Sequence, residues 1–283
     1  MADRASQALK QRKEEGQSFW DANPCGGRWA TYVDFLTWIQ RTEPYAYEIV
    51  DRYDWADNCV LDIGCGQGTL LNYLPRFGAK MFGLDMSSVS LRRVASGAGE
   101  LGYSDRVCLS MADAEHLPFP DACFDVVLSF GVLHHTPDTR GGVKELWRVL
   151  KSGGLALVML YRTGNPKWWM TRLVRGASHL VDLIRGEPYT IANRSRSHHE
   201  RDNVRGTALL ELFGCPTLKA FSNRQAREMF RMFSRVSISN HQPGFRRMLD
   251  IVPLFRPLES FLAWFDWQVT PVWGFYQVIE ARK

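Results

Sequence analysis

Apolar residues follow two rhythms along this chain. In its middle part they come in short continuous runs: Cys59–Ile63, Lys80–Asp85, Arg106–Met111, Val126–Phe130 and Leu155–Tyr161. Runs of this length without polar alternation predict strands buried on both faces, as in parallel sheets. Between them the period lengthens to that of a helix. Val89–Ala95 is one such stretch, with Ser87 placed as its N-cap. Regular alternation of strand and helix predicts a doubly wound, mainly parallel α/β sheet, with ligands over the carboxyl ends of the strands.

The flanks read differently. Met1 to Trp20 is polar and helix-prone, a loosely held leader ended by Asn-Pro and Gly-Gly punctuation. Trp29 to Ile39 has aromatics at helical intervals, and Glu43-Pro44-Tyr45 opens another helix. From Trp168 to Ile184 the spacing predicts a helix with one apolar face. Tyr189–Gly206 follows as a polar connection with no periodicity. Ser222 caps a short helix, Ser234–Asn240 is a strand, and Pro253 and Pro257 break the aromatic stretch Phe245–Phe265. Val272–Arg282 reads as the final strand. The resulting division is 1–55 as a helical segment or lid, 56–163 as a ligand-binding core, 164–221 as a helical and loop insertion, and 222–283 as the closing helix and strands.

The chemistry gathers around Asp62-Ile63-Gly64-Cys65-Gly66-Gln67-Gly68, where a strand gives way to three alternating glycines and Thr69–Leu74 resumes with helical spacing. Glycines let backbone N–H groups approach a ligand with no Cβ in the way. A dinucleotide fingerprint requires G-x-G-x-x-G, and Thr69 stands where its third glycine belongs. Asp62 adds a carboxylate beside the turn, which suits a cation better than a pyrophosphate. About twenty residues beyond the first glycine, Asp85 ends the second strand, a spacing suited to ribose hydroxyls. The third strand also leads to an acid, Asp113. After it, Glu115-His116-Leu117-Pro118-Phe119 runs through Phe124-Asp125 into the fourth strand, and Lys151-Ser152-Gly153-Gly154 precedes the fifth.

These ordered segments resemble the class I S-adenosylmethionine-dependent methyltransferases, of the small-molecule, methyltransferase domain 11 kind. The resemblance implies a Rossmann-like seven-stranded sheet, mainly parallel with its last strand antiparallel, and S-adenosylmethionine as cofactor. It implies cofactor contacts from Asp62, Gly64, Cys65, Gly66, Gly68, Asp85 and Met86. Asp113 and Ala114 would meet the adenine, and Phe130 and Gly131 would floor the methionine moiety. His135 falls where related enzymes often keep a histidine in the turn after the fourth strand; it is the candidate base, with a structural role in that turn as the alternative. Tyr161, past the fifth strand, is a second candidate for contacting the acceptor.

Composition narrows the rest. The chain has 283 residues and a formal net charge of +5, too mild to demand a polyanion. No apolar run is long enough to span a bilayer, and six cysteines without a C-x-x-C pair read as reduced core thiols, so a cytoplasmic protein is expected. No metal site is expected, since His198 and His199 are adjacent rather than at ligand spacing. Sixteen Phe, ten Trp and nine Tyr, concentrated outside the core, favour a hydrophobic or aromatic small acceptor. The alternative is a quinone or lipid methyltransferase at a membrane surface. An RNA methyltransferase is weaker, because Asp182, Glu187, Glu200 and Asp202 interleave with the arginines.

Overall fold

The computed structural model describes residues 2–24, 29–185, 215–244 and 257–283. Its centre is a seven-stranded sheet: β1 (Cys59–Ile63), β2 (Lys80–Asp85), β3 (Val107–Met111), β4 (Phe124–Phe130), β5 (Leu150–Tyr161), β6 (Arg235–His241) and β7 (Tyr276–Arg282). The order is β3-β2-β1-β4-β5-β7-β6. Strands β1 to β5 are parallel, and β7 inserts antiparallel between β5 and β6. Tyr161 at the end of β5 therefore pairs with Tyr276 at the start of β7, and both lie at the end of the sheet where β1 to β4 finish. Strand order reverses between β1 and β4, which opens the crevice that such sheets use for ligands.

Both faces of the sheet are covered, as the continuous apolar runs require. Val60, Met81, Val126 and Leu157 pack against α3 (Pro44–Val50), Trp55 and the turn Leu70–Leu74. Leu61, Val127, Val158 and Ile279 pack against α5 (Thr139–Val149) and α7 (Asn223–Met229). α1 (Ala2–Ala22), α2 (Tyr32–Thr42), α4 (Ser88–Glu100), α6 (Pro166–Arg185) and α8 (Glu259–Trp273) complete the described helices.

Several local expectations are corrected. The leader is a 21-residue helix, tied down over the sheet by contacts described below. No helix starts at Thr69: the chain makes turns and one 3-10 turn, Leu74–Phe77, because Pro75 lacks an N–H and Gly78 leaves at φ 94°. Gly153-Gly154 does not connect helix to strand. β5 begins at Leu150 directly after α5, and the glycines lie within an irregularity where its pairing with β4 shifts register. α6 forms as expected, yet Trp169, Leu173, Leu180 and Ile184 are exposed while Trp168, Thr171 and Ser178 are buried. Val272 and Trp273 belong to α8 rather than to the last strand, which begins at Tyr276. The connection Tyr189–Gly206 and the proline at 253 lie outside the described residues.

Candidate active site

A cavity of about 260 Å³ lies over the carboxyl ends of β1 to β5. Its wall brings together most residues singled out in sequence: Asp62, Gly64, Cys65, Gly66, Asp85, Met86, Asp113, Ala114, Phe130, Gly131, His135 and Tyr161. Gly68 is not in the wall. It sits behind the turn at φ 86°, where a Cβ would lie 2.8 Å from the Tyr32 hydroxyl. That hydroxyl is 2.6 and 2.9 Å from the Gln67 and Gly68 carbonyls, so α2 closes the turn from outside.

Each glycine on the cavity side has a distinct reason. Gly64 has φ 67°, and a Cβ there would lie 2.3 Å from Val132 Cγ2. Gly66 has φ 55°, and a Cβ there would project into open space, the form of a cradle kept clear for a ligand.

The two acids beside this turn differ in how they are held. Asp85 accepts the Gly66 N–H at 2.9 Å and the Ser87 N–H at 2.8 Å, fixing the turn to the end of β2. Burial raises its pKa, although those N–H groups oppose the rise. Asp62 is 5% exposed, and its carboxyl has no hydrogen-bond partner among the described residues. Burial, then the nearby Asp85 charge, pushes its pKa up to about 8. A carboxyl so placed is mostly protonated near pH 7, and a cation brought beside it would favour its ionised form.

At the β3 side, Lys13 of α1 reaches in. Its Nζ lies 2.5 Å from Asp113 Oδ2 and 2.6 Å from Glu115 Oε2. Asp113, Glu115 and His116 come close enough to share an ion, and the lysine ammonium already sits against both carboxylates. Arg12, Gly16 and Trp20 extend the wall along the same helix. Asp21 then accepts the Ser87 hydroxyl at 2.8 Å, at the cap of α4. The sequence signal for this role was weak, since one lysine and one tryptophan in a polar helix do not announce a binding face.

The opposite end of the cavity is aromatic. Trp20, Phe35, Trp38, Tyr45, Tyr161 and Tyr276 line it. Tyr161 packs against His134 at 3.9 Å between ring centres and against Tyr276 at 5.6 Å. His135 lines the cavity beside Trp20, whose ring meets it edge-on at 5.3 Å. Burial pushes the His135 pKa down to about 4, against the opposing bond to Thr217, so the ring is neutral near pH 7. His134 is fully buried and held neutral by the same desolvation.

Comparison with known proteins bears on the domain and the fold. Residues 61–158 match the family model described as a methyltransferase domain. A probable tocopherol O-methyltransferase from Oryza sativa subsp. japonica is 39% identical over 103 residues, 36% of this chain and 28% of that protein. A sterol 24-C-methyltransferase from Aspergillus fumigatus is 35% identical over 178 residues, 56% of this chain and 47% of its own. The chain thus aligns with less than half of each of these two relatives. Among solved structures, an S-adenosylmethionine-dependent methyltransferase from Mesorhizobium loti superposes with a TM-score of 0.52 at 14% identity, covering 84% of this chain and 97% of that one. The [4+2]-cyclase SpnF gives 0.54 at 20% identity, with 98% and 94% covered. Such identities establish the fold alone. Residues 61–158 thus match a methyltransferase domain, set in a sheet that superposes on that of an S-adenosylmethionine-dependent methyltransferase.

Proposed function

We propose that the whole protein moves a methyl group from S-adenosylmethionine to a small hydrophobic or aromatic acceptor. The observation that carries this reading is Asp62, a buried carboxyl without an internal partner beside a glycine cradle. Asp62 would receive the ammonium of the cofactor's amino-acid tail, and the clear space at Gly66 would admit that tail. Asp85 would accept from ribose hydroxyls, Asp113 and Ala114 would face the adenine, and Met86 would line the same side. Phe130 and Gly131 would floor the methionine end, with Gly64 and Cys65 shaping the turn. When bound, the cofactor supplies a methyl group already activated on a sulfonium.

The protein's own part is to align, exclude water and manage a proton. Trp20, Phe35, Trp38, Tyr45 and Tyr276 offer the acceptor an apolar, aromatic chamber. His135 would accept a proton from the acceptor, and Tyr161 would hold it in place. The test is formation of S-adenosylhomocysteine in the presence of an acceptor panel. It also separates methyl transfer from other chemistry on the same fold.

A second reading takes the acceptor from a membrane surface. It is favoured by Trp169, Leu173, Leu183, Trp264 and Trp267, exposed on α6 and α8. The turn leading from β5 into α6 is tied to the end of α8, where Asn165 and Arg162 donate to the carbonyls of Trp273 and Val272. Tryptophan and leucine of this kind suit the interfacial zone of a bilayer. No described helix is long and apolar enough to cross a membrane. Flotation with liposomes tests this reading, and protein left at the bottom of the gradient would remove it.

A further inference from the structure

The relatives include proteins named for O-methylation and for C-methylation, so their names do not decide what the acceptor presents. The surroundings of His135 bear on it. His135 ends a one-turn 3-10 helix, Leu133–His135, just after β4. Its Nδ1 lies 2.9 Å from the carbonyl oxygen of Thr217, and the Cys215 Sγ lies 3.2 Å from the same nitrogen. The Cys215 thiol in turn donates to the Thr217 carbonyl at 3.0 Å. A carbonyl oxygen cannot donate, so in the neutral ring the proton belongs on Nδ1 and the lone pair on Nε2.

The segment making this contact is itself clamped. Arg175 of α6 donates to the Cys215 carbonyl at 2.9 Å. The Lys219 N–H donates to the His134 carbonyl at 3.0 Å, and Lys219 Nζ to the Pro137 carbonyl at 2.6 Å. Cys215 is 2% exposed, so the clamp is an interior feature. Nε2, the remaining polar atom of a ring in the cavity wall, has no partner among the described residues.

We propose that Cys215-Pro216-Thr217 is a positioning segment that fixes His135 as the Nδ1–H tautomer, and that Nε2 selects an acceptor presenting a hydroxyl. Nε2 so fixed accepts only, and what docks there must donate. An alkene carbon has no proton to offer it. An ammonium would bring a second positive charge beside the sulfonium and has no unshielded lone pair with which to attack. A neutral phenol or alcohol meets both conditions. As the hydroxyl oxygen bonds to the methyl carbon, the carbon–sulfur bond breaks and its electron pair stays on sulfur, leaving a neutral thioether. The hydroxyl proton passes to Nε2 and then to water. Since neutral imidazole here is a weak base, the proton moves late, once the oxygen has become acidic through bond formation.

This inference rests on the methyltransferase reading, and the experiment separates the two. The full chain, labelled with ¹⁵N-histidine, is examined by long-range ¹⁵N–¹H correlation at pH 7, with His135→Gln supplying the assignment. The expected spectrum shows Nδ1 protonated and Nε2 bare; a protonated Nε2 overturns the proposal whether or not the cofactor binds. In the kinetic arm, naphthols are compared with matched alkenes lacking the hydroxyl. Turnover confined to the naphthols supports the proposal, and equal or faster turnover of the alkenes overturns it. Cys215→Ala and Arg175→Ala should lower kcat roughly tenfold or more through loss of ring orientation, with KM for S-adenosylmethionine unchanged. A matching loss in both constants would mark the segment as merely structural. Failure of S-adenosylhomocysteine to bind would count against the wider reading instead.

Discussion

Lys13 and Asp113 stand a hundred positions apart in the chain, and the ammonium of one lies 2.5 Å from the carboxylate of the other. The pair fastens the first helix to the tip of the third strand, at the edge of the cavity. With Glu115 3% exposed at the same ammonium, this is not an ordinary surface ion pair. Replacing Lys13 with alanine should release α1. The cost to stability is about 1 kcal/mol, and amide exchange in residues 8–20 should speed up while the sheet stays protected. Hydrogen-exchange mass spectrometry reads both, and unchanged protection in α1 would show that the helix is held by its other contacts.

The glycine turn yields a paired test. Gly64→Ala drives a methyl into Val132 at a positive φ, and roughly 2–4 kcal/mol of stability should be lost. Gly66→Ala meets no protein atom within 4 Å, so its melting temperature should fall much less. Its binding of S-adenosylhomocysteine should nevertheless drop at least tenfold, because the methyl enters the cradle. Equal losses of stability in the two variants would contradict this division.

Asp62 ties stability to binding through one proton. Its folded pKa of about 8 stands above the ordinary 3.8, so its contribution to stability is full below pH 3.8 and is lost as pH rises towards 8. Asp62→Asn should therefore stabilise the ligand-free protein at pH 8 by about 2 kcal/mol or more, while weakening the cofactor. Thermal melts across pH, with and without S-adenosylhomocysteine, check the sign. Destabilisation of the free protein at pH 8 would refute it.

The histidines act in the opposite direction. His135 is depressed from 6.5 to about 4, so the unfolded chain takes up a proton that the folded one refuses between those values. Its contribution is full above pH 6.5 and is lost on descending to about 4, by up to about 1.4 kcal/mol per pH unit. His134 shifts in the same direction. Because Asp62 opposes them in this window, the comparison is between the wild type and His135→Gln. The variant's stability should fall less steeply as pH drops from 6.5.

How much of this was legible follows from what each residue does locally. The strands of the core could be read because burial on both faces leaves continuous apolar runs. Ser87 and Ser222 could be read as caps because an N-cap acts within four residues, and each accepts the N–H three positions on. The wall around Asp62, Asp85 and Asp113 followed from strand ends, which the parallel topology brings together. Lys13, Trp20 and Thr217 were not legible. Their contacts join segments about eighty or more positions apart, and nothing local marks a lysine or a carbonyl for a distant partner. Likewise, the apolar stripe of α6 specifies a helix, yet periodicity alone cannot say that the stripe turns away from the sheet.

The most direct measurement is calorimetric titration of the full chain with S-adenosylhomocysteine in buffers of different ionisation enthalpy. Binding should release a proton as Asp62 ionises against the ligand's ammonium, approaching about one proton per site at pH 7 and fading as the pH rises through about 8. Asp62→Asn should abolish that release. Absence of binding, with a nicotinamide dinucleotide bound in its place, would contradict the account.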